Sequence, residues 1–376
     1  MTEQFVRGIF FPLLRTGLGL EETPITIDES DAKQAERLGA RQAVLPIVLA
    51  GLEKQGVPRD WLWEQDRERM NCIYRHVVRD DAMRKISGAL NTAAIPFIPL
   101  KGAVLKDLYP EPWMRTSSDL DVLVCEGDLD RAVAAIEGAT GFKFDKRNYH
   151  DVTMLSTQLC LELHFSIKEN MPGIDALLER VWDYARPVES GYEMRLTPEF
   201  QLFHVLAHMS YHMAHGGLGV RPFLDLWLLQ RMTDYDENAL RGMCAACGIL
   251  TFYETACALL RAWMEGAAHT DVTAMLETYC LDGGVFGSAD NGAAQREHRG
   301  LSYILHRLFV SREVLEGMYP GLRGKAWQMP LFQARRWLRL LDRRKRRGAL
   351  AEMKRMKAVD KTAIDSFDSL LKSMGL

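Results

Sequence analysis

Three regimes of apolar spacing follow one another along the chain. From about Asp31 to Ala94 apolar residues recur at helical intervals, through Ala43-Val-Leu-Pro-Ile-Val-Leu-Ala-Gly-Leu52 and again through Met70, Ile73, Val77 and Val78, which predicts helices. The period then shortens. Ala94-Ile-Pro-Phe-Ile-Pro-Leu100 reads as a first strand, Gly102 to Leu108 as the start of a helix and Asp119 to Cys125 as a second strand. Asp128 to Glu137 reads as a covering helix, and Asp151 to Leu155 with Leu159 to Phe165 as a hairpin turning at Ser156-Thr157. Thr197-Pro198-Glu199 is a helix start, with an N-cap threonine and proline in the first turn, and from there the pattern stays helical. The expected fold class is α+β: a helical unit over 1–92, a small mixed sheet with helices on one face over 93–196, and a helical unit over 197–376. The last unit is interrupted by a Gly-rich loop near 282–292.

Two of these strands carry acids that sheet propensity does not favour. In Asp119-Leu-Asp-Val-Leu-Val124 side chains alternate between faces, so Asp119 and Asp121 point one way while Leu120, Val122 and Val124 point into the core. Along Gln158-Leu-Cys-Leu-Glu-Leu-His-Phe165, Leu159, Leu161, Leu163 and Phe165 share one face; Cys160, Glu162 and His164 share the other. Like charges brought close in a poor dielectric repel and lose solvation, so a cation between them is required. Mg²⁺, which takes oxygen ligands and keeps positions for water and substrate phosphates, suits Asp119, Asp121 and Glu162; Mn²⁺ is the alternative. His164 reads as strand filler.

The order of these features carries a resemblance. Gly102, Arg115, Ser118-Asp-Leu-Asp121 and a later strand carboxylate resemble the polymerase-β-like nucleotidyltransferase superfamily. Leu100-Lys-Gly102, Tyr109-Pro110, Arg115, Asp119-Leu-Asp121, Glu162-Leu-His164, His208-Met-Ser-Tyr-His212, Gly216 to Arg221 and Asp225-Leu-Trp227 look more narrowly like the uncharacterised nucleotidyltransferases. The resemblance spans roughly residues 30 to 330. It implies catalysis by Asp119, Asp121 and Glu162 with a bound metal, and nucleotide binding at Lys101, Gly102, Arg115 and Ser118. His208, His212, Arg221 and Asp225 are implied to line the cleft for the acceptor, with Asp225 orienting Arg221. The superfamily turn is usually Gly-Ser; here it is Lys101-Gly102, with Gly102 admitting phosphates near the backbone and Lys101 as an anion partner. The amides at the N-terminus of the following helix would face the same anion.

The implied reaction moves a nucleoside monophosphate from a triphosphate, ATP being the first expectation, to a hydroxyl-bearing small molecule, peptide or protein, releasing pyrophosphate. Other readings are a nucleotide-binding or regulatory module without turnover and an RNA-directed transferase.

Composition narrows the field. The chain has 376 residues, 47% hydrophobic and 26% charged, which is ordinary for a globular protein of two or three packed units. No apolar run approaches the roughly 20 residues that span a bilayer, and the start Met1-Thr-Glu-Gln lacks a secretory layout, so a cytoplasmic location is expected. Seven scattered cysteines suit reduced thiols, and Cys244-Ala-Ala-Cys247 reads as ordinary buried cysteine within a helix. A net charge of −3 argues against a general nucleic-acid binder. A local exception is the basic amphipathic segment 335–347, where Arg335, Arg336, Arg339 and Arg343 to Arg347 surround Trp337, Leu338, Leu340 and Leu341. It reads first as a solvated helix docked by its apolar stripe, and second as a contact for RNA, acidic lipid or a phosphorylated partner. His204, His208, His212 and His215 form one stripe on a helix, open to three readings: cleft lining, structural packing, or a metal pair at i and i+4.

Overall fold

A computed structural model describes residues 2–20, 23–62, 65–188, 191–284, 309–322, 325–338 and 361–376. The N-terminal segment contains helices α1 (Glu3–Phe5), α2 (Phe11–Gly17), α3 (Glu29–Arg41) and α4 (Leu45–Lys54). Local chemistry sets their ends. The Asp28 carboxylate accepts from the Asp31 amide at 2.8 Å and starts α3 with a reciprocal capping box, and Pro46 sits in the first turn of α4. Helices α2 and α4 cross at two glycines. A Cβ on Gly17 would lie 2.1 Å from the Ile47 carbonyl oxygen, and one on Gly51 would lie 2.3 Å from that of Leu13.

The long helix α5 (Gln65–Thr92) leads into the sheet. Strands β1 (Phe97–Pro99), β2 (Asp119–Val124), β3 (Lys143–Arg147), β4 (Asp151–Leu155) and β5 (Cys160–His164) lie in the order β1-β2-β5-β4-β3. The β2/β5 pair is parallel and the others are antiparallel. Helices α6 (Gly102–Leu105) and α7 (Leu129–Ala139) fall between β1 and β3. Leu120, Val122, Val124, Leu161, Leu163, Val152 and Met154 form one face of the sheet, under Ala82, Ile86 and Leu90 of α5 and Leu129, Ala132 and Ile136 of α7. The alternating pattern thus becomes a two-layer core, and the other face keeps the polar side chains of β2, β5 and β4.

β3 has no counterpart in the expected strands. Its sequence, Lys-Phe-Asp-Lys-Arg, is almost wholly exposed at the sheet edge, so it offers no apolar alternation, and its charges suit an unpaired edge. The short ribbon β6 (Ala185–Pro187) with β7 (Met194–Leu196) is likewise too brief and polar to announce itself.

After α8 (Pro172–Leu178) and this ribbon come α9 (Pro198–His215), α10 (Val220–Met232), α11 (Glu237–Ala246), α12 (Leu250–Glu265) and α13 (Asp271–Asp282). They share one apolar cluster with α2–α4: the Phe11 ring stacks on Trp263 at 4.6 Å, and Phe223 meets the same indole edge-on. Helices α14 (Arg312–Met318), α15 (Met329–Leu338) and α16 (Lys361–Ser373) follow. Arg335 and Arg336 end α15, whereas 339–347 and most of the Gly-rich segment, 285–292, lie outside the described residues. All seven cysteines are free thiols, with Cys244 and Cys247 buried. Among the described residues no helix is long and apolar enough to cross a membrane.

Because a carbonyl oxygen in a packed helix cannot retreat cheaply, Gly51→Ala should destabilise the chain by about 1–3 kcal/mol, the usual range for overpacking. A thermal or urea midpoint unchanged from wild type would show that α2 and α4 do not cross at this contact.

Candidate active site

The parallel pairing of β2 with β5 sets Asp121 directly opposite Glu162, so both carboxylates leave the sheet on the face away from α5 and α7. His164, two residues further along β5, arrives on that face too. Ligand atoms of Asp121, Glu162 and His164 all lie within 4.8 Å of one another. His164 Nε2 is 3.0 Å from Asp121 Oδ1 and 3.6 Å from Glu162 Oε2. The histidine read as filler therefore stands between the two acids, and the signal was its two-residue offset from Glu162. Its ring stacks parallel to His150 at 5.5 Å, and its Nδ1 is buried without a hydrogen-bond partner.

Asp119 shares this face and lines the same cavity, but it is not part of the three-residue cluster; its Oδ1 accepts from Ser117 Oγ at 3.0 Å. Burial pushes the Asp121 pKa up, but the Lys101 ammonium and the His164 hydrogen bond outweigh it and hold the carboxyl well below its usual range. Glu162 shifts the other way, raised by burial and by the charge of Asp121. Two carboxylates and an imidazole, one acid fully ionised, form a donor set that fits a divalent cation.

Lys101 sits in a strained turn, with φ 42° and ψ −110°. This conformation turns its Nζ to within 3.5 Å of Asp121 Oδ1. Burial lowers the Lys101 pKa, yet Asp121, Glu169 and Glu162 together raise it. The lysine therefore pairs with a carboxylate in this geometry. Side chains of the protein itself crowd Gly102: a Cβ there would lie 2.8 Å from Arg115 Nη1 and 3.1 Å from Ser117 Oγ. The expected anion-facing helix is one turn long. Its Ala103, Val104 and Leu105 amides already donate to the carbonyls of Leu100 and Lys101, because the tight turn folds them back onto the strand end.

A positively charged flank adjoins the acids. Arg115 is buried and binds Asp225 in a fork, Nε to Oδ1 and Nη2 to Oδ2 both at 2.8 Å, and Tyr109 donates its hydroxyl to the same Oδ1 at 2.8 Å. The carboxylate expected to orient Arg221 also holds Arg115 and Tyr109; its charge bears on Arg221, whose Nη1 donates to the Thr116 carbonyl at 3.0 Å. Arg79 of α5, which the sequence did not single out, reaches the Ser117 carbonyl at 2.6 Å. Burial and the charge of Arg115 lower the pKa of both Arg79 and Arg221, the signature of guanidinium groups crowded together. Ser118 is exposed on an adjoining groove; the serine lining the cleft is Ser117.

Helix α9 supplies the facing wall. His204, His208 and His212 line the same cavity, of about 320 Å³, as the acids, Lys101, Arg115, Arg221 and Asp225, whereas His215 is exposed and bonded to the Tyr211 carbonyl. Glu169, unremarked in the sequence because it sits in an irregular loop after β5, accepts from His208 Nδ1 at 2.7 Å. Burial raises its pKa, but His208 and Lys101 pull it down to about 2. Burial also lowers the pKa of His204 and His212 to about 3, so both stay neutral.

A mixed five-stranded sheet with helices over its apolar face and acids on the other is the α+β arrangement that a nucleotidyltransferase fold calls for. The chain belongs to the family of uncharacterised nucleotidyltransferases, which matches it over residues 28–265. No curated protein and no solved structure matches it.

Removing one partner of a buried ion pair strands the other charge, so Asp225→Ala should cost about 3–5 kcal/mol in denaturant unfolding. A loss below 1 kcal/mol would mean that Arg115 is solvated. His204, 2% exposed with Nδ1 unpartnered, is neutral when folded and titrates near 6.5 when unfolded. The unfolded chain then binds the extra proton, so stability falls as pH drops from 6.5 toward 3. His204→Leu should flatten the decline of melting temperature between pH 7 and 5; an unaltered slope would contradict the burial.

Proposed function

We propose that this nucleotidyltransferase moves a nucleoside monophosphate from a triphosphate, ATP in the first instance, onto a hydroxyl group of a small molecule, peptide or protein, with release of pyrophosphate. The observation carrying this reading is the register that brings Asp121, Glu162 and His164 within ligand distance of one another, beside Asp119 and a cluster of arginines. Asp119, Asp121 and Glu162, joined by His164, are the residues to hold Mg²⁺ or Mn²⁺. Such an ion, when bound, supplies Lewis-acid stabilisation of the phosphoryl charge and lowers the pKa of a coordinated hydroxyl.

The residues of the chain divide the remaining work. Arg79 and Arg221, anchored to the carbonyls of the Thr116-Ser117 segment, present positive charge for the phosphates, and Arg115, fixed by Asp225, holds that flank rigid. Lys101 neutralises Asp121 and can exchange that contact for a phosphate oxygen. Glu162, at the edge of the acid cluster and partly open to the cleft, is placed to take the acceptor proton as the oxygen–phosphorus bond forms and the bond to pyrophosphate breaks. The histidine-lined wall of α9 receives the acceptor.

The test is incubation of the full chain with each α-labelled triphosphate, Mg²⁺ or Mn²⁺ and candidate acceptors in cell extract. Asp119→Ala/Asp121→Ala should lower transfer of label by at least roughly 100-fold, the scale on which removal of transition-state charge stabilisation is felt. Equal labelling by the double variant would eliminate this assignment.

A further inference from the structure

We propose that His208 and His212 form a second cation site, for a borderline divalent ion of the zinc type, on the helical wall of the cleft. The two histidines stand one turn apart on α9, and their Nε2 atoms converge to 3.0 Å. Two imidazole nitrogens bound to one tetrahedral ion at ordinary zinc–nitrogen lengths are separated by about 3.3 Å, so the pair needs only a small adjustment. Glu169 supplies the second element of such a site. Its carboxylate accepts from His208 Nδ1 at 2.7 Å, which places the proton on Nδ1 and leaves the Nε2 lone pair to accept from His212 Nε2, whose proton a metal ion displaces. A carboxylate on the outer nitrogen is the arrangement that orients ligating histidines and makes them more basic toward the metal. Burial lowers the pKa of both imidazoles, keeping them in the neutral form that a metal requires.

The charge balance is tolerable. Lys101 bears on both histidines, but it is paired with Asp121, and Glu169 offsets it from the other side. Imidazole favours zinc and its neighbours, and the sheet cluster, with two carboxylates to one imidazole, is the more oxygen-rich of the two sites. With two protein ligands, the remaining positions open into the cleft and are filled by water or by an oxygen or nitrogen of the bound molecule. This inference does not depend on nucleotidyl transfer, and its test reads the metal directly.

The full chain is dialysed against Zn²⁺ alone and the bound metal counted, with Co²⁺ as a visible-absorption probe. The Asp121→Asn/Glu162→Gln chain, in which the sheet cluster is disabled, should still retain one equivalent. Adding His208→Gln/His212→Gln should abolish it, and Glu169→Gln should weaken it about 10- to 100-fold. His212→Cys keeps a ligand and should restore Co²⁺ binding with a thiolate charge-transfer band, separating loss of the site from loss of the fold. Undiminished uptake without the two histidines, or no uptake by the sheet variant that retains them, would overturn the proposal and leave His208 and His212 as a pair sharing one proton.

Discussion

A carboxylate buried in the middle of a sheet is the constraint around which this molecule is arranged. Asp121 is 4% exposed, and an ion so placed persists only where positive charge or strong donors surround it. The parallel β2/β5 register brings His164 to it from the neighbouring strand, and the strained turn at Lys101 brings an ammonium from the end of β1.

The same logic extends outward through the segment between β1 and β2. Its arginine, Arg115, is buried against Asp225 of α10, so the loop beside the acids is clamped to the C-terminal helices. Arg79 from α5 and Arg221 from α10 grip the backbone just beyond that clamp, at the Ser117 and Thr116 carbonyls. Three elements distant in sequence thus meet at residues 115–117 and form a cationic flank beside an anionic one. The cleft between them is therefore lined by opposite fields.

Positioning this flank requires the two helical ends of the chain to be one body. Phe11 stacks on Trp263, Gln42 donates to the carbonyls of Cys280 and Gly283, and its own oxygen accepts from the Val220 amide where α10 begins. The N-terminal helices therefore set where α10 starts, and with it the placement of Arg221 and Asp225. The reciprocal glycines of α2 and α4 belong to the same support.

Much of this was legible in the residues. Period-two alternation with acids on the polar face identified β2 and β5, because a strand with one buried face must keep its polar side chains together. The helix start at Thr197-Pro198 and the hairpin at Ser156-Thr157 follow from backbone rules that act within a few residues. What the sequence could not convey were the partnerships: that Asp225 holds Arg115, that Arg79 joins the loop, that Glu169 orients His208, and that His164 stands between two acids. Each depends on pairs separated by tens of residues, whose approach is decided by strand register and helix packing, and long-range proximity leaves no periodic trace in a single chain. Local patterning determined the elements and the chemistry each one carries; tertiary packing alone decided which charges meet.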